Sequence, residues 1–336
     1  SFATFAHVIE IVEIVNSVAG ILLNFLLLYA IVRFSRPSLG TYRYLLTIFT
    51  LLDFYLVVIH VLVHPRVLRV DNIHTIVSDT IFDAQWVTAF WVGCQSLPFT
   101  LLGIHFLYRY WSVRRPHLIP LFSNKYFVAL LVFITLGGLA SWHLLCAHAM
   151  DGHDTSVALA IMVKEYERKY GKRLVNSWIL MDQWRDNQYD WNLIAITVIM
   201  DIQMAISLSA SSTLAVLTFS HIKNSYKMSV QTSELQRKLL VTLCAQSAVP
   251  ILCVYWPYVF AINGSFLNIP GNLLHDLCAP VLTFFPVWDP VIVILLFNDY
   301  RNGLMHVVRK PPPVGPTTMQ VTTSFVNTTS IAPSSV

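Results

Sequence analysis

Tyr126 to Ala149 reads YFVALLVFITLGGLASWHLLCAHA, with no Asp, Glu, Lys or Arg anywhere in it. A run of about 20 apolar residues is the length that crosses a hydrocarbon core as a helix. Six further stretches repeat the pattern, near Val8 to Phe34, Tyr44 to His64, Trp86 to Trp111, Asn192 to Phe219, Leu239 to Ile262 and Leu273 to Phe297. Hydrocarbon offers no partner to a bare amide, so each run must satisfy its backbone internally, as a helix does. The expected fold is an all-α membrane protein, a seven-transmembrane helix bundle. Of the 336 residues, 55% are hydrophobic and 12% charged, against roughly 25% charged in soluble domains. A soluble enzyme is excluded as the default reading.

The polar stretches between the runs alternate in charge. One set carries Arg33, Arg36 and Arg43, then Arg109, Arg114, Arg115 and Lys125, then Lys223, Lys227, Arg237 and Lys238, then Arg301, Arg309 and Lys310, with Glu234 and Asp299 as its only acids. Basic loops stay in the cytoplasm, which predicts the N-terminus outside and the C-terminus inside. Net charge is +4, and nucleic acid is not an expected partner. The five cysteines lie in or beside apolar runs and read as buried small hydrophobes.

Met150 to Asp190 is the only sizeable polar segment, and reads either as a lid or as a long flexible loop. Thr155 and Gly171 are start and stop signals for a helix through Val163 and Tyr166. Ser233 with Gln236 resembles a capping box at the start of the sixth span. Asp299 is expected to cap an amphipathic helix over 299–309, with Tyr300, Leu304, Val307 and Val308 towards lipid and the basic residues towards anionic headgroups. Asn263-Gly264-Ser265 fits the glycosylation acceptor pattern. Residues 311–336 are rich in Pro, Ser and Thr, contain no acid, and read as a disordered tail.

Charged groups inside a span each need a reason, because a charge at mid-bilayer costs about 2.5 to 3.5 kcal/mol on insertion scales. Asp53, Asp201 and Asp289 qualify. Each is either part of an interior polar network or quietly capped by a neighbour; Asp201, in the half predicted to face outwards, is the one best placed for a ligand. Arg109 either snorkels to headgroups or serves as a buried switch. Pro250 and Pro257 in the sixth span, and Pro280, Pro286 and Pro290 in the seventh, predict kinks. No hydrolase elbow, zinc-binding His-Glu-x-x-His or phosphate loop occurs, and neither an enzyme, a metal site nor a cofactor is expected. His143 and His148 lack helical metal-ligand spacing. An ion- or proton-coupled transporter using the intramembrane Asp residues remains an alternative, as does a structural membrane subunit.

Motifs at the span ends then add a resemblance. Gly40-Thr41-Tyr42-Arg43-Tyr44-Leu45 opens the second span, and Gly103-Ile104-His105-Phe106-Leu107-Tyr108-Arg109-Tyr110 closes the third. Leu235-Gln236-Arg237-Lys238-Leu239, Tyr255-Trp256-Pro257 and Phe285-Pro286-Val287-Trp288-Asp289-Pro290 come next, leading to Asp299-Tyr300-Arg301. In order and spacing these resemble nematode seven-transmembrane chemoreceptors of the Str type over most of the chain from Gly40 to Arg301. The resemblance implies a receptor, GPCR-like in fold, that binds a small environmental molecule such as an odorant and activates a heterotrimeric G protein. It also implies the plasma membrane of sensory cilia as location and arrestin as a partner of the tail. Two departures from rhodopsin-like receptors stand out. Tyr108 replaces the acid before Arg109, and Asp289-Pro290 replaces Asn-Pro without the Tyr that should come three residues later. Met150 to Asp190 contains no Cys, so the outer disulfide of such receptors lacks a second half.

On this reading Trp91, Gln95 and Phe99 on the third span, Asp201 and Met204 on the fifth and Trp256 on the sixth are the candidate ligand residues. Bundle halves open to water offer apolar pockets with few polar anchors, although aromatic stripes also simply fill cores. His105, Tyr108 and Arg109 are the candidate inner switch, with Asp289 and Pro290 on the seventh span. Arg115, Lys227 and Arg237 are the candidate G-protein contacts. Ligand and G protein communicate if the ligand prefers the conformation that opens the inner ends of the third, fifth and sixth spans.

Overall fold

The computed structural model describes residues 2–36, 39–70, 73–150, 155–185, 188–224, 229–266 and 272–308. The apolar runs become α1 (Phe2–Phe34), α2 (Tyr42–Val63), α3 (Gln85–Cys94), α4 (Leu97–Arg114), α5 (Lys125–Ala147) and α7 (Trp191–Asn224). The sixth span is α8 (Val230–Pro250), a π-helical turn (Ile251–Tyr255) and α9 (Trp256–Phe266). The seventh is α10 (Asn272–Leu282) and α11 (Phe285–Leu296), whose spanning parts meet at a 42° bend. With that bent pair counted as one, seven spans are long and apolar enough to cross a membrane. The chain is a seven-transmembrane helix bundle.

The third span is the axis of the bundle. Within its most apolar window 78% of residues are buried, whereas the fourth span has 6% buried and faces lipid along almost its whole length. The axis is made of two helices because Pro98, at the start of α4, has no N–H to continue the ladder from α3. Gly93 lets α3 approach α5 closely: a Cβ there would lie 2.8 Å from the Leu139 carbonyl oxygen. All five cysteines are outside disulfides.

Two connections that lack apolar helical runs fold together over one end of the bundle. β1 (Pro65–Val70) and β2 (Ile73–Ser78) form an antiparallel hairpin with Val67 opposite Ile76, and β3 (Trp178–Met181) adds to β2 with Thr75 opposite Leu180. α6 (Ser156–Tyr170) packs on this sheet, with Met162 and Tyr166 against Leu68, Val77 and Trp178. A two-residue pairing of β4 (Trp184–Arg185) with β5 (Gln188–Tyr189) leads into α7. The all-α expectation therefore needs a small sheet added at this end, a cover over the bundle that is termed the lid.

Several local expectations are corrected. Thr155 stands at the N-cap of α6 but makes no side-chain cap bond, while Gly171 closes it at φ 68°. α8 starts a turn before Ser233, with the Thr232 N–H donating to Ser229 Oγ at 3.2 Å. α12 (Asn298–Val308) begins at Asn298; Asp299 pairs with Arg36 at 2.5 Å, and Tyr300, expected towards lipid, is fully buried against Phe297. Arg309, Lys310 and the tail over 311–336 lie outside the described residues.

Candidate functional site

Beneath the lid, Trp91, Phe99 and Met204 are buried in one apolar core that runs through the middle of the bundle. The Trp91 ring meets His60 of α2 edge-on at 6.0 Å, and the Phe99 ring meets Tyr255 at 6.1 Å. Gln95, at the break between α3 and α4, lines a small interior cavity with Ser17, His60 and Thr283. Its volume is about 20 Å³, enough for one water. The third and fifth spans thus bring four of the predicted ligand residues into one interior, in a closed packing.

Asp201 and Trp256 lie away from it. Asp201 is half-buried and accepts from Asn263 Nδ2 at 3.2 Å, the Asn of the sequence that fits the glycosylation pattern. Trp256 is 47% exposed and stacks on Phe260 at 5.7 Å on the outside of the bundle. The π-helical turn explains this correction. Leu239, Leu243, Gln246 and Pro250 form the buried face of α8, and an unbroken helix would carry that face to Pro257 and Phe260. The turn inserts about one extra residue, rotating the remainder of the span by about 100°. Val254, Tyr258 and Ile262 are buried instead.

At the opposite end Arg109 is buried rather than snorkelling. Its guanidinium carbon sits 3.5 Å from the centre of the Tyr42 ring, and its Nε and Nη2 have no hydrogen-bond partner among the described residues. Tyr42 in turn stacks on Tyr108 at 5.8 Å, and the Tyr108 hydroxyl shares a 2.5 Å hydrogen bond with Thr41. His105 packs against Tyr42 and Phe49 and lies 3.2 Å from the Leu45 carbonyl. In place of an acid an aromatic face holds the cation, without cancelling its charge; a desolvated cation–π contact is worth about 2 kcal/mol, against several kcal/mol to desolvate the ion. The packing leaves Arg109 short of an acceptor.

Asp289 is fully buried beside Pro290 and receives Gln246 Nε2 on both oxygens at 3.3 Å; the Asp53 carboxyl faces it from α2. This polar knot joins the second, sixth and seventh spans, and among the described residues neither carboxylate forms an ion pair with Arg109. Arg115 and Arg237 are exposed at the basic end. Lys227 lies outside the described residues.

The lid carries a second set of functional groups, which the motif reading passed over. Arg66 of β1 donates to Glu13 of α1 at 2.8 Å, with both side chains buried. Lys169 of α6 meets Asp276 of α10 at 2.5 Å, and Lys172 pairs with Asp79. Burial pushes the Asp79 carboxyl up, but the bonds from Lys172 and Tyr166 outweigh it and hold the group below its usual range. Burial, with His275 and Arg69 nearby, drives the His74 imidazole well below its ordinary value. His74 and His275 face each other at 5.2 Å between ring centres. The available signal was Arg66, Arg69 and His74 in two short strands, where Arg69 stands directly opposite His74.

The model of the serpentine-type 7TM GPCR chemoreceptor Str family matches residues 9–305. The chain belongs to the Str family. Serpentine receptor class r-10 of Caenorhabditis elegans is 22% identical over 306 residues, covering 86% of this chain and 88% of that receptor. Serpentine receptor class J-38 of the same organism is 24% identical over 306 residues, covering 84% and 88%. The G-protein coupled receptor str-33 is 20% identical over 310 residues, covering 84% and 86%. The receptor is accordingly a multi-pass membrane protein of a G-protein-coupled chemoreceptor family, with a chemical ligand and a G protein as the partners that family implies.

Proposed function

We propose that the receptor binds a small environmental molecule in the interior around Trp91, Gln95, Phe99 and Met204, and activates a heterotrimeric G protein at its basic end. The N-terminus and lid face outside, the basic loops face the cytoplasm, and the site of action is the plasma membrane of sensory cilia. Arginine-rich ends favour that orientation. The observation that carries the reading is Arg109: a buried cation held by an aromatic face, short of hydrogen-bond acceptors, at the end where a G protein docks. Ligand binding opens the bundle there by preferring the open conformation, and Arg115, Lys227 and Arg237 add contacts. The phosphorylated tail recruits arrestin.

The test is a G-protein activation assay on surface-expressed receptor, screened against volatile and water-soluble metabolites. A ligand-dependent signal that Arg109→Ala abolishes, with surface delivery intact, supports the reading. Silence with several G proteins supplied, together with substrate flux lost in Asp201→Asn or Asp53→Asn, replaces it with the transporter reading.

A further inference from the structure

An apolar cavity of ligand size also lies away from the lid. It is a groove of about 560 Å³ on the flank of the bundle, between α2, α4 and α5. Its floor is buried, formed by Leu52, Leu97, Ile104 and Tyr108, whereas Ile48 and Leu136 on its walls are 48% and 56% exposed. The groove therefore opens sideways, towards hydrocarbon. It runs from Thr41 to Tyr55 along α2, about 21 Å at the helical rise of 1.5 Å per residue. That is somewhat more than one leaflet of a hydrocarbon core about 30 Å thick. Spread over that length, the 560 Å³ leaves a cross-section of about 27 Å², narrow and elongated.

Deeper in the groove the Tyr55 hydroxyl is engaged with Cys94 at 3.4 Å and the Thr135 hydroxyl donates to the Leu131 carbonyl at 2.8 Å, so the charged rim lies at one end only. Thr41, Tyr108 and Ser123 line the groove where it meets the basic loops. Arg43 lies over the Tyr44 ring and donates to its hydroxyl at 2.9 Å, and Lys125 lies over Tyr126 just beyond Ser123. Both cations are exposed. Across residues 39–70 and 97–147 the sequence holds a single acid, Asp53, and it is fully buried. The rim is thus uncompensated positive charge over an apolar slot.

We infer that this groove binds one hydrocarbon chain bearing an anionic head, with the chain along α2 and the head at Arg43 and Lys125. The source is either a free long-chain carboxylate or an anionic phospholipid. Because Tyr108 and Thr41 form the inner wall, the occupant touches the residues that hold Tyr42 over Arg109. The site is separate from the interior cavity at Gln95 and does not depend on what binds there.

Full-length receptor in detergent micelles doped with oleate, phosphatidylserine or phosphatidylcholine is analysed by native mass spectrometry for retained lipid. One equivalent of oleate or phosphatidylserine is expected, favoured about thirtyfold over phosphatidylcholine, as two basic residues near an anionic head imply. Whichever of the two is retained identifies the source. Leu101→Trp fills the slot and is expected to lose the bound lipid. The double variant Arg43→Gln, Lys125→Gln is expected to keep a chain but lose the preference for negative charge. If Leu101→Trp fails to fold, Ile48→Trp on the exposed wall replaces it. Equal retention by the filled variant and the parent, no stoichiometric lipid, or no preference for anionic heads would overturn the inference.

Discussion

At the end that carries the sheet, Arg66 reaches Glu13, Lys169 reaches Asp276 and Lys172 meets Asp79, each cation with an acid of its own. At the opposite end Arg109 lies over an aromatic ring, while Arg43, Arg115 and Arg237 stand exposed. At one end buried cations have acids within the chain; at the other the buried Arg109 has a ring instead, and the ion pairs Arg36–Asp299 and Lys238–Glu234 lie towards the surface. Buried pairs cost a great deal to break once formed, so the lid end is stapled. The exposed Arg43, Arg115 and Arg237 are instead available to something outside the chain. The same residue type does opposite jobs at the two ends because its surroundings differ in acids.

The strongest way to break this comparison is Arg66→Met. It leaves Glu13 buried without its cation, which is expected to cost about 3 to 5 kcal/mol, read as a lower thermal unfolding midpoint of the purified receptor. An unchanged midpoint would mean that the lid end is not stapled by this pair. Next comes Tyr42→Leu, which removes the ring beneath Arg109 and forfeits about 2 kcal/mol. Basal G-protein activation is expected to rise, while Tyr42→Phe keeps the ring and leaves the signal unchanged, since the Tyr42 hydroxyl has no hydrogen-bond partner among the described residues. Equal behaviour of the two variants would show that the ring face is not what holds Arg109.

The paired end is also expected to respond to acid. Burial and the neighbouring His275 and Arg69 depress the His74 imidazole below its ordinary 6.5. The unfolded chain takes up that proton first as pH falls, so the stability contributed by neutral His74 is full above 6.5 and declines below it. The slope is at most about 1.4 kcal/mol per pH unit. Unfolding midpoints measured from pH 7 to pH 5 should fall, and His74→Phe should flatten that dependence. A slope unaltered by the substitution would assign the acid sensitivity to another group. The smallest effect belongs to Asp299→Asn, whose partner Arg36 is 69% exposed; about 1 kcal/mol or less is expected, and a larger loss of stability would blur the contrast between the two ends.

The sequence made the spans legible because hydrocarbon imposes a length and an absence of charge that a single stretch such as Tyr126 to Ala149 displays openly. The sheet was harder to see. Pro65–Val70 and Ile73–Ser78 are rich in β-branched residues around Asp71-Asn72, a hairpin signal, but they are too short to register beside windows of about 19 residues. Trp178–Met181 is buried at all four positions and so shows no alternation. At the candidate site, Trp91, Phe99 and Met204 are placed by simple helical spacing. Trp256 is misread because lipid tails are as apolar as a core, so an aromatic residue gives no sign of which side it faces, and one added residue in a π-helical turn decides it. Tyr42 stands in a motif yet carries no role from sequence, since nothing local announces a ring that will meet an arginine two helices away.

If the stimulus binds beside Gln95 as proposed, the one-water cavity there bears on how dilute a stimulus the receptor can report. A molecule larger than water has to wait for a rarer, roomier arrangement, and its apparent dissociation constant rises by the inverse of that arrangement's share of the population. If the share is about one in a hundred, a hundredfold of intrinsic affinity is hidden. On the proposed reading, detection threshold is then set as much by Arg66, Lys169 and Lys172, which keep the lid shut, as by any side chain the stimulus touches. Two receptors with the same interior and different lids would smell the same compound at different concentrations.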